Sequence, residues 1–343
     1  MAFTEIFTRN SRNNTDGWKK NPFKALDPYS EEESQEFYGR KDEVQNLYYH
    51  VKQNYLTVLY GESGVGKSSV INAGLVPLLR KKNLFPILLR TSAILNEEEP
   101  ARFVLRQVIE EAQKRSYTLF DDFEGKTIDP ESSEYLDKTL WEFFHQVSFY
   151  KKHNSEPEKF NVAKNTLPLL IFDQFEEIFS APVSSRKEKF INELASLVEN
   201  YPLKRVWQME VSNELPNCKI LISLKSESIP KLGKLSNIIP SISQTRNKVM
   251  LDRLTDSQGA FIINQLGNEH GTKDIFPKET IDHIINEISS FDDLGNLEKR
   301  KVQPYFLSLY CHEVYDNVIN RKNKANIQVA DLQNDTEVLK RFY

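Results

Sequence analysis

Cysteine is nearly absent from this sequence. Cys218 and Cys311 each sit inside an apolar stretch, which argues against a disulfide framework and for small buried side chains in a reduced, cytoplasmic protein. The six histidines are scattered without ligand spacing, so no zinc site is expected. Long apolar runs are missing too: segments such as Leu167–Phe172 are far too short to span a bilayer. Met1–Arg12 lacks the continuous apolar stretch of a secretory signal. Nor is positive charge in excess. Lys plus Arg is 45 and Asp plus Glu is 49, a net charge of −4, so nothing global draws the chain to nucleic acid or an anionic membrane. No internal repeat, nucleophile elbow or Cys–His pairing stands out.

What is present reads as a globular chain of two or three domains: 39% of its 343 residues are hydrophobic and 27% charged. Residues 1 to about 20 are polar and Asn-rich, and Asn21–Tyr29 reads as an extended arm. Val44, Leu47, Tyr48 and Val51 carry helical spacing. Buried strands are expected at Leu56–Tyr60, Phe85–Arg90, Leu167–Phe172, Lys219–Leu224 and Lys248–Leu251. Helices are expected at 101–115, 133–150 and 186–201, with 116–132 rich in turns and Lys151–Asn165 a polar linker. After Leu254 strands are expected to stop, leaving helices near 256–266, 277–290 and 304–321. Strands alternating with helices indicate α/β architecture, a three-layer αβα parallel sheet followed by a helical domain.

The chemistry begins where the first strand ends. Gly61-Glu62-Ser63-Gly64-Val65-Gly66-Lys67-Ser68 fits G-x-x-x-x-G-K-S/T between a strand and a helix. A loop of backbone N–H groups at a helix N-terminus surrounds polyphosphate with partial positive charge. Lys67 is placed to reach the β- and γ-phosphates of ATP or GTP, Ser68 to ligate Mg²⁺, and Ser69 to line the same site.

Leu169-Leu170-Ile171-Phe172-Asp173 is a hydrophobic strand ending in a carboxylate, at the strand end where α/β sheets bind ligands. Asp173 is a second Mg²⁺ candidate, the alternative being a helix cap. Glu176 and Glu177 follow, either one able to polarise a water for attack on the γ-phosphate, with Glu176 favoured; the plainer reading is a solvated acidic first turn. The strand Lys219–Leu224 ends in Ser223, Lys225, Ser226 and Glu227, and a polar or basic group there, Lys225 above all, is a candidate contact to the γ-phosphate or simply a surface lysine at a strand end.

Several segments together resemble the novel STAND NTPase family of the first type, within the AAA+/NACHT/NB-ARC-like group of P-loop NTPases. They are Asn21–Leu26 with Phe37-Tyr38-Gly39-Arg40, the string Tyr60–Pro77, Phe172–Phe179, Leu221–Lys225 and Val302–Leu307. The resemblance implies a P-loop NTPase fold with a C-terminal helical lid domain. It divides the chain into a lead-in and arm at 1–34, the NTPase domain at 35–251 and the lid domain at 252–343. Asp331–Tyr343 resembles only the start of the family's winged-helix region, so the chain is expected to stop before that region and any repeat sensor are complete. By the same resemblance Gly39, Arg40 and Pro304 border the adenine pocket, although a turn before a helix and a helix-starting proline explain them equally well. Lys225 stands where the family usually has Arg, which keeps the charge and loses the bidentate fork.

Such proteins are ATP-driven switches: the ADP form is closed, and the ATP form self-associates and activates effector domains, which are not expected within this chain. Expected cofactors are therefore ATP or ADP with Mg²⁺. Three competing readings are an AAA+-like remodeller, a small-molecule phosphotransferase and a nucleotide-locked interaction module. The first would need a basic channel and a finger such as Arg186 or Arg246, and the acidic balance argues against nucleic acid as partner. The phosphotransferase would need a lid and a substrate base, which the helical C-terminus does not suggest.

Overall fold

The computed structural model describes residues 20–151, 166–203, 214–269, 271–292 and 301–332. The lead-in, most of the 151–165 linker and residues 333–343 lie outside them. The chain forms two compact units. One runs from Tyr29 to Asp252; the other begins at Arg253 and takes in the arm up to Pro28.

In the first unit, five strands form a parallel sheet: β1 (Leu56–Gly61), β2 (Leu84–Arg90), β6 (Leu167–Asp173), β7 (Lys219–Lys225) and β8 (Lys248–Met250), in the order β2-β6-β7-β1-β8. The interior strands are continuous apolar runs because both faces are covered. Leu59, Leu169, Ile171 and Leu221 pack on one side against α1 (Lys41–Gln53) and α2, which runs as Lys67–Ser69, a π-helical Val70–Leu75 and Val76–Lys81. Val58, Leu170, Phe172, Ile220 and Ile222 pack on the other side. Their partners there are α4 (Pro100–Lys114), α5 (Leu140–Gln146) and α6 (Ser185–Glu199). Each such fully buried side chain contributes about 1.5–3 kcal/mol relative to exposure. Pro86 has no N–H to donate, and β2 is the edge strand that tolerates it. The short helix Thr91–Asn96, α3, follows β2 directly.

Two expectations differ here. Residues 116–132, read as turns, contain β3 (Tyr117–Asp121) and β4 (Lys126–Thr127). The helix expected over 133–150 is a 3-10 turn at Glu134–Asp137, then α5, then β5 (Val147–Lys151). These three strands form a separate antiparallel sheet, β4-β3-β5. A new helix starts at α5 because Thr139 and Glu142 cap each other's backbone N–H, at 3.2 and 2.8 Å. It ends because the β-branched Val147 pairs with Asp121 across the sheet. Asp121 is buried, and Tyr135 and Gln146 each donate to its Oδ2 at 2.7 Å.

In the second unit, α7 (Asp256–Gly267), α8 (Lys278–Asp292) and α9 (Pro304–Tyr315), continued by a π-helical Asp316–Arg321, surround an apolar core. Strands do not stop at Leu254: β9 (Leu254–Thr255) and β10 (Lys301–Val302) make a two-residue antiparallel ribbon, too short to leave a period in the sequence. The arm is part of this core. Phe23 is 2% exposed and meets the Phe276 ring edge-on at 5.8 Å. His312 Nδ1 donates to the Phe23 carbonyl at 2.6 Å, and the Asn21 amide donates to His312 O and Asp316 Oδ1.

Candidate functional site

Because all five strands are parallel, their C-terminal ends share one rim. Gly61 pairs with Lys225, and Asp173 ends the strand beyond, so β7 carries Lys225 between the glycine loop and the carboxylate. The loop needs its glycines for two different reasons. A Cβ on Gly61 would sit 2.5 Å from the Leu251 carbonyl, a backbone collision, and Gly66 turns into α2 at φ +92°, which L side chains disfavour. Glu62, Ser63 and Gly64 face solvent, while Val65 is buried.

Lys67 Nζ donates to the carbonyls of Gly61 and Glu62, both at 2.8 Å, which holds the ammonium over the loop. Burial pulls its pKa below the ordinary lysine value, against the opposing charges of Glu176, Asp173 and Glu227. Ser68 Oγ donates to Asp173 Oδ2 at 2.8 Å across 105 residues of sequence. Ser69 Oγ accepts from the Tyr29 N–H at 3.2 Å. A carboxylate and a hydroxyl at the foot of a glycine loop are the hard oxygen donors that Mg²⁺ favours, with the remaining positions left to phosphate and water. Among the described residues, no three His, Cys, Asp or Glu side chains gather as a metal cluster.

The two glutamates after Asp173 go different ways. Gln174 takes φ 56°, and the Phe175 N–H donates to the Ser223 carbonyl at 2.8 Å, which folds the segment back over β7. Glu176 then faces Lys225. Its carboxylate accepts from the Lys225 N–H at 3.3 Å and lies 3.7 Å from Nζ. Glu177 turns the other way and accepts from the Ser92 N–H at 2.8 Å, at the N-terminus of α3. Ser223, one of the polar residues expected at the end of the strand Lys219–Leu224, lies within β7. It is level with Asp173 on the neighbouring strand, one step past the Phe172–Ile222 pair, and its buried Oγ has no hydrogen-bond partner.

Gly39 and Arg40 end the turn into α1. Arg40 is 4% exposed, donates from Nη1 to Glu43 at 2.9 Å and from Nη2 to the Val65 carbonyl at 3.1 Å. Pro304 is the first residue of α9, in the helical unit. Arg186 lies 3.7 Å from Glu98, and Arg246 donates to Gln244 at 2.9 Å.

Sequence comparison decides the family. The profile described as Novel STAND NTPase 1 matches residues 22–310. The chain belongs to the Novel STAND NTPase 1 family. No curated protein matches the sequence. Among solved structures, this STAND NTPase is similar to a Walker-type ATPase of Pyrococcus abyssi, at 16% identity and TM-score 0.54, over 92% of this chain and 76% of that one. It is also similar to the ADP form of the Aeropyrum pernix ORC2 protein, at 12% identity and TM-score 0.51, over 87% of this chain and 68% of that one. Cdc6p of Pyrobaculum aerophilum matches at 12% identity and TM-score 0.51, over 87% and 66%. At such identities the likeness establishes the fold, that of a P-loop NTPase. Among the described residues no helix is long and apolar enough to cross a membrane.

Proposed function

We propose that this STAND NTPase binds ATP with Mg²⁺, hydrolyses it slowly, and acts as a switch whose nucleotide state controls self-association and a partner or attached effector. The observation that carries the nucleotide reading is the 2.8 Å bond from Ser68 to Asp173, which joins the glycine loop to the acidic strand end on one rim. Gly61 to Ser69 would cradle the phosphates, with Lys67 as counter-charge and Ser68 and Asp173 holding the metal. Mg²⁺, if held there by Ser68 and Asp173, would supply neutralisation of the phosphate charge. Glu176 is the candidate to orient the attacking water, and Glu177, committed to the end of α3, is the weaker one. Lys225 would lie beside the γ-phosphate, and its release after hydrolysis would be the local event that biases the switch.

Family membership supports the switch reading, and the absence of any basic excess weighs against a nucleic-acid remodeller. Single-turnover and steady-state hydrolysis, with analysis of co-purifying nucleotide, test the proposal. Tightly held ADP and slow turnover are expected; fast turnover stimulated by DNA would contradict it.

A further inference from the structure

We infer that Arg40 is a positioning residue for the phosphate loop, clamping Val65 from outside. The inference rests on the nucleotide reading above. When successive N–H groups converge on an anion, the carbonyls of those peptide units point away from it, and one that points into the protein needs a donor. Val65 is where that demand falls. Its side chain is 1% exposed, packed in the core shared by α1 and α2, and its carbonyl accepts from Arg40 Nη2 at 3.1 Å.

Arg40 is itself fixed. It stands at the N-cap of α1, is 4% exposed and is held through Nη1 by Glu43 one turn later, at 2.9 Å. Burial lowers the guanidinium pKa, and the Glu43 and Asp252 charges oppose that shift. α1 can approach closely because α2 carries Gly74 at the contact: a Cβ there would lie 2.4 Å from Val44 Cγ2. Helix, arginine and loop are thus one packed body. A planar fork reaches Glu43 and Val65 at once, which a single ammonium cannot do in the same geometry.

The test is calorimetric titration of wild type, R40K and R40Q with Mg-ATP, Mg-GTP and Mg-tripolyphosphate, the last by competition, with melting curves to show that each variant is folded. R40K retains the charge and serves if R40Q does not fold. A clamp on the loop acts on phosphate binding whatever the base. Both variants should therefore weaken all three ligands alike, by about tenfold to a hundredfold, the worth of one charge-assisted hydrogen bond. A loss for the nucleotides with tripolyphosphate unchanged would overturn the inference, because Arg40 would then be reading the base. An unchanged Kd for all three in a folded variant would overturn it too. A wild-type chain that binds none of the three refutes the nucleotide reading itself, and the clamp with it.

Discussion

Glu176 and Glu177 are neighbours in sequence and should give opposite phenotypes. Glu177 supplies a charged acceptor to the Ser92 N–H at the start of α3. Glu177→Gln keeps the shape and replaces the carboxylate with a neutral carbonyl, which should cost about 1 kcal/mol from the weaker hydrogen bond and the lost charge at a helix N-terminus. In a unit of this size that is a fall of about 2–4 °C in Tm. Hydrolysis should continue at a comparable rate. Glu176→Gln removes only a partly solvated contact with Lys225, whose side chain is 47% exposed, so stability should hardly change. Mg-ATP binding should persist, and hydrolysis should slow about 10²- to 10⁴-fold, the usual worth of a positioned general base. The assays are thermal melting of each variant and single-turnover release of phosphate. If Glu177→Gln abolishes hydrolysis while leaving Tm unchanged, the division of labour drawn from the Ser92 and Lys225 contacts is wrong.

Gly61→Ala should destabilise the first unit by about 1–3 kcal/mol in denaturant melts and weaken nucleotide binding, because the new Cβ meets backbone at Leu251. For Lys67 the sign follows from its lowered pKa. At neutral pH the buried ammonium opposes folding. As pH rises toward 10.5 the unfolded chain binds more protons than the folded one, so nucleotide-free stability gains while Mg-ATP affinity falls. Melting curves should therefore show Lys67→Met more stable than wild type at pH 7, with the gap closing toward pH 10. Lys225→Ala should reduce discrimination between ATP and ADP in equilibrium binding, and Lys225→Arg should preserve it, since charge beside the γ-phosphate is the role proposed for this position.

The rim of the site was legible in the sequence because its parts are local. A glycine loop between strand and helix, and an apolar strand ending at Asp173, announce themselves over eight residues or fewer, and short uninterrupted apolar runs such as Leu169–Phe172 mark strands covered on both faces. What was not legible depends on distant partners. The different placements of Glu176 and Glu177 are set by Lys225 and Ser92, which lie 49 and 85 residues away. The contact of Arg40 with Val65 is a backbone acceptance that leaves no residue-type signature. The β3–β5 sheet was hidden for a different reason: Phe143, Phe144 and Val147 keep helical spacing across the point where α5 ends, so the period continues after the helix has stopped. Tyr117–Asp121 is only half-buried, which weakens its alternation.

The most direct test of the central claim is calorimetric titration of the folded chain with ATP, with and without Mg²⁺, beside Lys67→Ala. Saturable one-to-one binding that is strengthened by Mg²⁺ is predicted. Loss of one ammonium near 4 Å from a phosphate charge, about 4 kcal/mol at an effective dielectric of 20, should weaken it about a thousandfold in the variant. No heat with the folded wild type, or equal affinity in wild type and Lys67→Ala, would contradict the account.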